Sequence, residues 1–105
     1  MAIKLFENYS NTSEDGPIQP LLLNHSKKRI METVEAYFRK NNFEKVIVNN
    51  DFFEIFASDD KFEITVSISE AKEGRNTVDV AVLGPRGKSR DKLKEMTNAI
   101  SSLFK

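Results

Sequence analysis

The residues best suited to chemistry gather at Gly84-Pro85-Arg86-Gly87-Lys88-Ser89 and the basic run after it, Arg90, Lys92 and Lys94, broken only by Asp91. Two glycines, the free amides of a helix start and several cations are the ingredients of an anion site, because a helix N-terminus presents unpaired N–H donors and partial positive charge. The named phosphate motifs do not fit. A Walker A loop needs a glycine five positions before Gly87, where Val82 stands. A Gly-x-x-Gly clamp of the KH type joins two helices, whereas this turn follows a strand. What remains is a generic anion-binding patch of Arg86, Gly87, Lys88, Ser89, Arg90, Lys92 and Lys94, with a solvated basic turn as the simpler account.

Other chemistries are excluded more firmly. There is no cysteine, so thiolate metal sites, cysteine nucleophiles, disulfides and cysteine lipidation are all ruled out. His25 is the only histidine, and between Asn24 and Ser26 at a helix start it reads as a surface or capping residue. Asp59, Asp60 and Glu63 lack the spacing of a calcium loop and read as turn formers. No catalytic residues, metal site or cofactor site are assigned, and the chain is read as a non-enzyme.

The elements that position these residues follow from periodicity. With 105 residues, 39% hydrophobic and 30% charged, the chain holds one folded domain. Residues 1–20 read as a flexible N-terminal arm, since Asn8 to Pro20 is rich in turn formers, and 21–105 as a single α+β domain. Ala2 to Phe6 has the character of a short edge strand, and Leu21 to Leu23 form an apolar cluster in need of a surface.

A helix is expected from a Ser26 cap to about Lys40, with Ile30, Met31, Val34, Tyr37 and Phe38 along one face. From Phe43 the period becomes two. Four strands are expected, Phe43 to Val48, Phe52 to Ala57, Phe62 to Ile68 and Asn76 to Leu83, joined by short turns and therefore sequential antiparallel neighbours. A last helix, capped by Ser89, runs to Phe104 with Leu93, Met96, Ile100 and Leu103 on its stripe. The expected architecture is a two-layer sandwich, a four-stranded antiparallel meander with two helices on one face, in the order α-β-β-β-β-α.

The junction at Gly87-Lys88-Ser89-Arg90, with Lys92 and Lys94, resembles the end of a double-stranded RNA-binding domain, where a basic glycine-containing turn leads into a lysine-rich helix start. The resemblance implies duplex RNA as a ligand for this patch. The chain departs from that family in having four expected strands rather than three, Leu93 and Met96 in place of small alanines, and sixteen basic against sixteen acidic residues.

The second strand breaks the alternation. If Phe53, Ile55 and Ala57 face the core, Phe52 and Phe56 face outward beside Glu54. The reverse would bury an unpaired carboxylate at a cost of several kcal/mol. Phe52, Phe56, Ala81 and Leu83, with Ile47 near them, are therefore expected to form an apolar outer face that needs a cover, either Leu21 to Leu23 folding back or another protein. The functional expectation is a protein-association domain, binding itself as a dimer or a protein partner. Nucleic-acid or phosphoanion binding through 86–94 is the alternative, weakened by the absence of net charge. No apolar run near the start is long enough for a signal peptide or a membrane span, so a cytoplasmic location is expected.

Overall fold

The computed structural model describes residues 6–10, 21–71, 74–85 and 87–105, with only the backbone described for 6–10. Its elements are β1 (Phe6–Ser10), β2 (Leu21–Leu23), α1 (Lys27–Lys40), β3 (Lys45–Asn49), β4 (Glu54–Ser58), β5 (Glu63–Glu70), β6 (Asn76–Pro85) and α2 (Ser89–Ser102). The class is α+β, with an antiparallel sheet and two helices.

The four-stranded meander is present as β3 to β6, but the sheet does not stop there. Its order is β1-β6-β5-β4-β3, and β2 also pairs with β6. β1 lies along Ala81–Pro85 and β2 along Asn76–Val78, so the two short strands share the outer edge of one long one. Six strands therefore occupy five positions. Phe6–Ser10 lies inside the stretch read as an arm, yet it is paired; the rest of that stretch lies outside the described residues.

Leu21 to Leu23 do not fold back over the outer face. They extend the sheet, opposite Val78, Thr77 and Asn76, so that Leu21 and Leu23 pack on the core while Leu22 points outward. Backbone pairing explains the difference: a bare edge of β6 would leave N–H and C=O groups unpaired, and three residues of extended chain satisfy them while still burying two leucines.

One core joins both helices to one face of the sheet. Ile30, Met31, Val34 and Phe38 of α1 and Leu93, Met96 and Ile100 of α2 meet Ile55, Ala57, Ile64, Val66, Ile68, Val78, Val80 and Val82. α1 begins where expected, Ser26 accepting the Arg29 N–H at 3.1 Å. It ends at Asn41, whose side chain donates to the Tyr37 carbonyl at 2.7 Å, and Asn42 takes the left-handed conformation, φ 63°, that terminates helices. Ser89 is not the cap of α2. That position falls to Lys88, which makes no side-chain cap, while Ser89 is fully buried with its hydroxyl 3.4 Å from the Pro85 carbonyl.

Candidate protein interface

The face of the sheet opposite the helices carries Ile47, Phe56, Thr65 and Ala81 in one cross-strand row, set by the pairs Ile47 with Phe56, Phe56 with Thr65 and Thr65 with Ala81. Leu83 continues along β6, 37% exposed, opposite Glu63. The rows on either side are polar except at Leu83: Lys45, Ser58 and Glu63 precede it on one, and Asn49, Glu54, Ser67 and Asp79 make the other. The Ser67 hydroxyl donates to Glu54 at 3.4 Å across β4 and β5, so Glu54 faces outward as the alternation requires. Phe56, Ala81 and Leu83 therefore share one surface, joined by Ile47, which is 49% exposed.

Phe52 is not on that face. β4 starts at Glu54, and Phe52 sits at the tip of the β3–β4 hairpin, 73% exposed. The cause is local. The Asn49 side chain accepts the N–H of both Asp51 and Phe52, at 3.0 and 3.2 Å, which closes a longer loop than the expected three-residue turn. Phe53 then adopts φ 54°, a conformation rare for a bulky side chain, and returns the chain to the ladder. Its ring still packs on the core, with the Lys27 ammonium 4.5 Å above it.

Among the described residues, Asp79 is the one acid on the outer face with a raised pKa. It lies in the interval of β6 between the stretches paired by β1 and β2, and one of its carboxylate oxygens is buried without a hydrogen-bond partner. Burial pushes its pKa above the usual carboxylate value, because a desolvated charge is disfavoured.

The basic helix start does not converge. Arg86 lies outside the described residues. Lys88 and Lys92 are four apart, as are Arg90 and Lys94, which sets the two pairs on different sides of the helix. Lys92 is engaged by Glu95 at 2.9 Å and stands 5.2 Å from the centre of the Phe62 ring. Both described glycines of the turn have structural reasons: Gly87 takes φ 85°, and a Cβ at Gly84 would run into the Phe62 ring. His25 packs on Phe104 at 5.1 Å, and its carbonyl accepts from Asn76 at 2.7 Å, so it ties the start of α1 to β6 and the C-terminus. Asp59 accepts the N–H groups of Lys61 and Phe62 at 2.9 and 2.8 Å, which is turn chemistry. Among the described residues no group of three or more histidines and acids gathers to hold a metal, and no helix is long and apolar enough to cross a membrane.

Sequence reasoning did not single out the outer edge of β3, beyond which no strand lies among the described residues. The signal was present in Val46-Ile47-Val48, which is apolar on both faces of a strand and therefore asks for burial on both sides.

No family model, curated protein or solved structure matches this chain.

Proposed function

We propose that this chain works by protein association through the open face of its sheet, with Phe56, Ala81 and Leu83 as contact residues and Phe52 as a separate apolar contact at the hairpin tip. The observation that carries this reading is the row of Ile47, Phe56 and Ala81 with Leu83 beside it, on a face that no second layer covers among the described residues. At about 25 cal/mol per Å², covering one large aromatic or aliphatic side chain stabilises a complex by roughly 1.5–3 kcal/mol. The polar rows on either side supply the hydrogen-bonding rim that protein contacts use. The anion reading of the helix start has less behind it, since Lys92 is occupied and Ser89 is buried.

The test is hydroxyl-radical labelling of Phe56 and Leu83 in the dilute purified chain and inside cells. Protection in cells that is lost in Phe56→Asp with Leu83→Asp, scored at Ile47, supports the reading. Equal labelling in both settings rejects it.

A further inference from the structure

We propose that the free edge of β3 pairs with β3 of a second copy of this chain, antiparallel about a two-fold axis through Ile47. The proposal deepens the association reading by naming one partner, and takes from it the premise that the chain works by contact.

The direction of those groups follows from two bonds on the other side of β4. Ile68 N–H donates to the Phe53 carbonyl at 2.9 Å, and Asp59 N–H to the Phe62 carbonyl at 3.1 Å. In an antiparallel ladder alternate residues address alternate neighbours. Phe53, Ile55, Ala57 and Asp59 therefore face β5, while Glu54, Phe56 and Ser58 face β3. Their partners are Asn49, Ile47 and Lys45. Val46 and Val48 are left, with N–H and C=O turned away from the sheet.

Nothing along this edge resists pairing. It has no proline, no glycine and an unbroken register with β4, and Lys45 at one end is its only charge. The other edge of the meander, β6, is covered by β1 and β2. Val46 and Val48 sit on the core side yet stay only half-buried, so a neighbouring strand would complete their cover.

The side chains select the register. With the axis at Ile47, Val46 of one copy stands opposite Val48 of the other. Each such pair exchanges both N–H···O bonds, and symmetry repeats the exchange. Ile47 meets its own counterpart in a close, non-hydrogen-bonded pair, where side chains interact most. Lys45 comes opposite Asn49 and diagonal to Asp51, so no like charges face one another. Moving the axis to Val46 sets Ile47 against Lys45, and moving it to Val48 sets Ile47 against Asn49. Only the Ile47 axis matches apolar with apolar and makes Phe56, Ile47 and their two counterparts one continuous strip. It also brings the exposed Phe52 level with Asn42, next to the half-buried Phe43 of the second copy.

The chain has no cysteine, so a single one reports on the register. Close antiparallel pairs hold their Cα atoms about 4.5 Å apart, inside the disulfide range. Under mild oxidation Ile47→Cys should form a covalent dimer at least about tenfold faster than Glu63→Cys, which lies on the same face in a central strand. Sedimentation of the unmodified chain should show the 12.0 kDa species doubling as concentration rises. Ile47→Lys, which sets like charges together, should weaken that association at least about tenfold with an unchanged circular dichroism spectrum. A chain that stays at 12.0 kDa at millimolar concentration, or a dimer indifferent to Ile47→Lys, overturns the proposal, as does equal crosslinking of the two cysteine variants. Crosslinking at Ile47 alongside equal labelling of Phe56 and Leu83 in and out of cells upholds the pairing and rejects the open-face reading; the opposite pattern does the reverse.

Discussion

The two edges of the β3 to β6 meander are treated in opposite ways. β6 is ten residues long, and its outer rim is taken by β1 and β2, two segments that approach from elsewhere in the chain. β3 is five residues long and, among the described residues, has no strand beyond it. The lesson is that length and burial decide which edge a small domain closes for itself. β6 carries Val78, Val80 and Val82 fully buried in the core, so water at its rim would reach the strand on which α2 packs. β3 is peripheral, and its exposure is tolerated.

The contrast breaks most sharply under a matched charge. Val80→Asp should leave no cooperatively folded protein, because a buried, unpaired carboxylate costs several kcal/mol against a total stability of the same order. At concentrations where the chain is monomeric, Ile47→Asp should change stability by no more than about 0.5 kcal/mol. Thermal melts of the two variants by circular dichroism make the comparison, and similar melts would show that β6 is not the structural edge.

A smaller effect is expected at Gly84. Its place on the buried side of β6 is shaped to the Phe62 ring, so Gly84→Ala should destabilise by about 1–3 kcal/mol through overpacking. Phe62→Leu in the same chain should recover part of that loss in urea denaturation. An anion-binding role for the glycine would predict no such recovery.

The smallest effect sharpens the comparison within the closed edge. Asp79 has a raised pKa in the folded state, so the native chain binds its proton more tightly than the unfolded chain does. Stability therefore falls as pH rises from the ordinary carboxylate value through the raised one, and the penalty is fully present at neutral pH. Asp79→Asn should raise the melting temperature at pH 7, and the gain should fade as pH falls through the raised value and be gone below the ordinary carboxylate value of about 4. A gain independent of pH would point to a cause other than desolvation.

The parts of the fold that were legible in the sequence depend on neighbours close along the chain. Ile64, Val66 and Ile68 alternate with Glu63, Thr65 and Ser67, and the strand forms with that face inward. Ser26 and the apolar stripe of α1 were legible for the same reason. What was missed depends on contacts that no local pattern encodes. The pairing of Leu21–Leu23 with Val78–Asn76 joins distant segments. The displacement of Phe52 from the outer face follows from one side-chain turn at Asn49, which a period-two reading cannot register. Phe56, Ala81 and Leu83 fall on one face of the sheet because an antiparallel register carries one strand's alternation to the next.

The long-range pairing of β1 and β2 with β6 also sets an order of events. β3 to β6 can zip by short turns, each closing quickly, while β1 and β2 must find a strand that is synthesised after β3, β4 and β5. Until they dock, the nascent meander has two bare edges rather than one, and the longer of them is apolar at its centre. The interval between completing β6 and covering it is when this chain is most exposed to misassembly, and it shortens with anything that speeds N-terminal docking.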